Sequence, residues 1–194
     1  AANSQAMAWK EGGWQDYGPK GIPDFDKRQA GWDAPAGSGT GWYQCGPVAA
    51  ANSLWWFDSK FEPAPLAPPV VNDNYPLVQS YEPTNAWDDH DARNVAPLVA
   101  DLSTRMGTTA GTGTTVTGMA NGITQFIADA GLAQEYTVTT QPNPAFTWVG
   151  TEVRRSEDVV LLLGFWQESV TGAPAKRVGG HYVTVSGVDL LNSI

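Results

Sequence analysis

The chain has almost no cysteine, little histidine and few positive charges. One Cys and two His stand among its 194 residues, and Lys plus Arg number 11 against 20 Asp plus Glu. A single cysteine cannot close an internal disulfide, so no disulfide framework holds this fold, and cysteine usage does not decide the redox compartment. The formal net charge of −9 leaves no basic stripe to neutralise phosphates. That argues against nucleic acid as a partner, and equally against an anionic membrane surface. Long apolar runs are missing too. The longest, DVVLLLGFW (158–166), is strand length, well under the roughly 20 residues of a membrane helix.

What the chain does have is apolar and aromatic bulk. It is 42% hydrophobic, with nine Trp, six Tyr and six Phe to fill a core. Its length suits one domain with a sizeable core rather than two. Only 16% of residues are charged, so much of the surface falls to Gly, Ser, Thr, Asn and Gln. The opening AANSQAMAW reads like a mature end left after signal removal at a small-residue site. Together with the acidic, Lys-poor, Trp-rich composition, it predicts a secreted or cell-surface protein.

Residues 1–40, rich in Gly, Pro and Asp with Trp9, Trp14 and Trp32, hold no period for long. They predict an extended aromatic arm belonging to the same domain, and a candidate element for self-assembly. Helices are predicted from Pro47 to about Lys60, from near Asn94 through VAPLVADLSTRM, over 114–132 and over 144–157. In the third of these, Val116, Met119, Ile123, Phe126 and Ile127 share a face, and Gly131 stops the helix. QEYTVTT (134–140) alternates like a strand. DVVLLLGFWQES (158–169) and GHYVTVSGVD (180–189) read as two buried strands. Helices first and strands last make an α+β domain over 41–194.

If the first long helix begins at or just after Cys45, in GWYQCGPVAAANSLWW, the thiol sits at its N-terminus. There the positive end of the helix dipole stabilises a thiolate, and backbone N–H groups can hold an oxyanion. Gly46 removes a side chain next to the sulfur, which would let a substrate approach. Trp55, Trp56 and Phe57 would anchor the helix some three turns on. A thiolate nucleophile needs a base, and His181, after two glycines, opens the apolar strand HYVTVSGV. The two residues lie 136 apart, inside the roughly 130–150 between nucleophile and base in papain-like enzymes.

These segments carry a resemblance. YQCGPVAAANSLWW resembles the Cys-Gly-Pro helix of papain-like bacterial and archaeal peptidases, especially the double-glycine leader peptidases of bacteriocin exporters and their secreted relatives. LWWFDSKF is similar to the nucleophile helix of immunoglobulin-degrading bacterial cysteine endopeptidases, and GGHYVTVSGVD to the histidine strand of the same superfamily. The likeness spans two separated blocks of about 40 residues in all. It implies a papain-like fold, with N-terminal helices packed on a C-terminal antiparallel sheet. It also implies polypeptide amide cleavage without a cofactor, Cys45 as nucleophile, and His181 as general base and then acid. Two departures follow. The position six before Cys45, where the superfamily carries an oxyanion-donating Gln, is Gly39, which leaves Gln29 and Gln44 as candidate donors. The Asn or Asp that orients the histidine is expected on the next strand, and only Asp189 and Asn192 are available. An orienter so poorly placed suggests a chain that stops before the last strands of such a fold.

DDHDARN (88–94) does not have the spacing of a zinc site, and Asp91 or Asn94 is predicted to cap the following helix instead. No metal site is expected. Two other functions fit the same features: a catalytically weak or inactive papain-like module, such as a sheath or filament subunit, and an acyl transferase using the same pair.

Overall fold

A computed structural model describes residues 7–9, 42–61, 75–84, 89, 91–168 and 175–189. Its elements run β1 (Met7–Trp9), α1 (Cys45–Phe61), α2 (Val95–Arg105), α3 (Val116–Asp129), α4 (Phe146–Arg154), β2 (Val160–Gln167), β3 (Lys176–Thr184) and β4 (Gly187–Asp189). This is an α+β arrangement, in which α1 packs on an antiparallel β2–β3 hairpin. Among the described residues no helix is long and apolar enough to cross a membrane.

α1 is the axis of the fold. Every residue from Gln44 to Trp56 is buried, so the helix has no solvent face along its first three turns. A helix apolar on all sides has to be surrounded, and here α2, α3 and β3 surround it. Ala49, Ala50 and Ala51 let neighbours come close, while Trp55 and Trp56 fill the far end with no exposed surface. The buried Asp58 carboxylate accepts from the Val78 N–H at 2.8 Å and ties segment 75–84 to the helix.

α2 and α3 meet through glycine. A Cβ at Gly118 would overlap the Met106 carbonyl oxygen, and one at Gly122 would lie 2.5 Å from Met106 Cγ and 3.0 Å from its backbone nitrogen. Glycine inside a helix costs about 1 kcal/mol relative to alanine; close approach of the two backbones explains its presence. The same contact corrects the predicted face of α3. Met119, Gly122, Phe126 and Ile127 are buried, Ile123 is partly buried, and Val116 is 47% exposed. Thr115 caps the start, accepting from the Gly118 N–H at 2.9 Å, and Gly131, at φ +79°, follows the end. Arg105 bonds both Asp101 and Asp129 and lies 5.4 Å over the Phe126 ring, joining the two helices again.

Several other expectations change. Segment 134–140 is not a strand: Tyr136 and Val138 pack singly on the α1 core, and the Tyr136 hydroxyl meets that of Tyr75 at 2.6 Å. Asn94 precedes α2 without a side-chain cap; it accepts from Tyr81 N–H and donates to the Asp89 carbonyl, bracing the preceding loop. Asp91 does the capping, accepting from Arg93 N–H at 2.9 Å in the 3-10 turn before the helix. Part of the arm is a strand, since Met7–Trp9 pairs antiparallel with Gly187–Asp189. The long C-terminal strand is two pieces: β3 stops at Thr184, and Asp189 lies on β4 opposite Met7. β2 is not a buried strand either. Exposure rises along it to 51% at Phe165 and 61% at Trp166.

Candidate active site

Cys45 is the first residue of α1, directly after the 3-10 turn Trp42–Gln44, and it is buried. The strand that carries His181 packs against this helix. Its register is fixed by one bond, from the Thr184 hydroxyl to the Ala49 carbonyl at 2.9 Å. Two strand residues span about 6.6 Å and four helical residues about 6 Å, so Tyr182 stands level with Cys45. Both belong to one buried cluster.

Cross-strand partners share a face of the sheet. Val160 pairs with Thr184 and Leu162 with Tyr182, and these four lie on the α1 side. Leu161 pairs with Val183 and Leu163 with His181 on the other side, where Leu161 packs on the second cluster formed by Val149, Val153, Val159, Val185 and Val188. His181 is half-buried. Its backbone lies one residue beyond the level of Cys45, past the helix N-terminus. The structure therefore brings Tyr182, rather than the His181 ring, directly against the head of α1.

Tyr182 is 6% exposed, and its hydroxyl has no hydrogen-bond partner among the described residues. Burial pushes this phenol above its ordinary range, and negative charge at Cys45 pushes it the same way; the Arg177 guanidinium pulls it back. At neutral pH the group keeps its proton. Arg177 reaches this face because a register shift between Phe165 and Trp166 changes the alternation beside it. Its Nη2 would meet a Cβ on Gly180 at 2.6 Å, and its Nε donates to the Gly179 carbonyl at 3.1 Å. Gly180 and its partner Gly164 thus make room for the guanidinium and for the Trp166 indole, whose Nε1 would lie 2.9 Å from a Cβ on Gly164.

Gly46 serves a purpose other than substrate access. A Cβ there would lie 2.5 Å from Thr114 Oγ1 and 2.7 Å from Thr114 Cβ. Thr114 is buried, and its hydroxyl meets that of Thr108 at 2.7 Å. The loop between α2 and α3, turned by Gly107 and Gly113 at φ +61° and +66°, closes over the head of α1 at this point. Gly46→Ala is expected to destabilise the protein by about 1–3 kcal/mol through overpacking, seen as a lower melting temperature. An unchanged melting temperature would show that Thr114 yields freely.

Gln44 is buried beside Cys45, and its Oε1 has no partner among the described residues. Asp189, on β4, is separated from His181 by the interruption of the strand at Val185–Ser186. Gln29, Gly39, His90 and Asn192 lie outside the described residues. Sequence reasoning missed Tyr182, Arg177 and Thr114. The available signal was the Tyr-x-Thr alternation after His181, which sets two hydroxyl side chains on one face of the strand. No protein-family model matches the chain, and no curated protein or solved structure does so either.

Proposed function

We propose that the protein is a secreted, papain-like cysteine peptidase acting on extended polypeptides. The observation that carries this reading is a buried thiol at the head of a central helix, against which the histidine-bearing strand is packed. The Cys45 thiolate attacks the substrate carbonyl carbon; a C–S bond forms and the carbonyl π pair moves to oxygen. Collapse breaks the C–N bond, and the departing amine takes a proton from the His181 imidazolium. Water, activated by His181, then hydrolyses the thioester. These steps require the His181 ring, which the register sets on the face of β3 opposite Tyr182, to turn toward the head of α1. The exposed Phe165, Trp166 and Val178 on the outer hairpin offer apolar contacts to an extended chain.

That same exposed ribbon favours a second reading, a non-catalytic module that assembles through its surface. Incubation with an unfolded polypeptide, followed by mass spectrometry, separates the two. The peptidase reading expects defined fragments that disappear when Cys45 is first carboxamidomethylated. Intact polypeptide at every time, or fragments indifferent to alkylation, would contradict it.

A further inference from the structure

We propose that the Tyr182 hydroxyl is a catalytic hydrogen-bond donor, bonding the substrate carbonyl oxygen while Cys45 attacks. The assignment rests on the peptidase reading above and adds to it the oxyanion donor that the sequence left open between Gln29 and Gln44.

Three observations converge on this group. The Thr184–Ala49 bond sets the register that brings Tyr182 level with Cys45, on the face of β3 turned to α1. The side chain is 94% buried by its 6% exposure, yet its hydroxyl is bonded to no described residue, Cys45 included. A buried donor left unpaired is destabilising, by about 1–3 kcal/mol in typical proteins, and such groups are rare enough in folded chains to call for a purpose. The third is electrostatic: burial raises the phenol above its ordinary range, charge at Cys45 adds to that and Arg177 opposes it, so the hydroxyl lies in the field of the thiol without being bonded to it. An oxyanion donor is needed in that relation to a nucleophile, near enough to reach the oxygen of a carbonyl whose carbon the sulfur attacks. Gln44 is also buried here, and the atom it leaves without a partner among the described residues is an acceptor, Oε1, which cannot stabilise negative charge on oxygen. Tyr182 transfers no proton. It donates one hydrogen bond that strengthens as the carbonyl π pair moves to oxygen and weakens when the pair returns.

Two electrophiles at the same thiol separate this role from a structural one. p-Nitrophenyl acetate acylates Cys45 through a tetrahedral oxyanion, and its leaving group needs no proton from His181. Iodoacetamide alkylates Cys45 by displacement of iodide at a saturated carbon and forms no oxyanion. In Tyr182→Phe, acylation should slow by about 100-fold, while alkylation stays within about twofold of wild type. The ring that packs in the core is kept, so the variant should melt no earlier than wild type. Acylation slowed less than about threefold would overturn the assignment. Equal slowing of both reactions would also overturn it, since the phenol would then act on the thiol and not on the oxyanion. Wild-type protein that is inert to both reagents at Cys45 would instead overturn the peptidase reading, and this assignment with it. For a second check on folding, a circular dichroism melt accompanies each variant.

Discussion

Alanine at position 181 is expected to lower polypeptide cleavage by about 10²- to 10⁴-fold, the usual contribution of a positioned general acid–base. The loss should fall on the chemical step rather than on the fold. His181 is half-buried in the middle of the hairpin, one residue past the level of Cys45, and belongs to neither buried apolar cluster. The Tyr182 and Thr184 contacts that dock β3 on α1 do not involve its ring. Cleavage kinetics beside a thermal melt check this: a large fall in rate at nearly unchanged melting temperature is the expected pair of results. A rate within threefold of wild type would remove His181 from the mechanism.

Trp55→Ala should have the largest effect on stability. The side chain has no exposed surface, and it fills the end of a helix buried along its first three turns. Truncating a buried tryptophan removes transfer free energy and leaves a cavity that the surroundings only partly close, about 3–5 kcal/mol together. For a chain of this size each kcal/mol moves the melting temperature by roughly 2–4 °C, so a fall of roughly 6–20 °C is expected. A change under 2 °C would mean that α1 is not the axis of the core.

The helical part of the fold was legible because its signals are local. Pro47 and the three alanines mark the first turns of α1, Gly131 follows the end of α3, and the prediction for α2 runs one residue past each end. What the sequence concealed depends on distant partners. β1 is three residues long, and its partner is β4, near the other end of the described chain. The stop in the C-terminal strand at Val185–Ser186 is hidden because those residues continue the apolar alternation. The packing of Thr114 against Gly46, and of Met106 against Gly118 and Gly122, joins residues from different elements and leaves no local mark in the sequence.

The site was legible in its parts and less so in its assembly. Cys45 at the head of a helix follows from Gly46-Pro47 and the alanines after it, and a strand beginning near His181 follows from the alternation beyond. Which side chain of that strand meets the helix is a question of parity. The Thr184–Ala49 bond answers it in favour of Tyr182. A shift of one residue in that register would exchange Tyr182 for His181, so no single-strand pattern could have decided it.

The most direct test of the central claim is the pH dependence of Cys45 alkylation by iodoacetamide, measured in the wild-type protein and in His181→Ala. A thiolate held by an imidazolium labels rapidly at pH 6, where an ordinary cysteine, with pKa near 8.5, is almost wholly protonated. The peptidase account predicts such labelling in the wild type and a sharp fall in the variant. Slow labelling, equal in the two proteins and rising only toward alkaline pH, would contradict it.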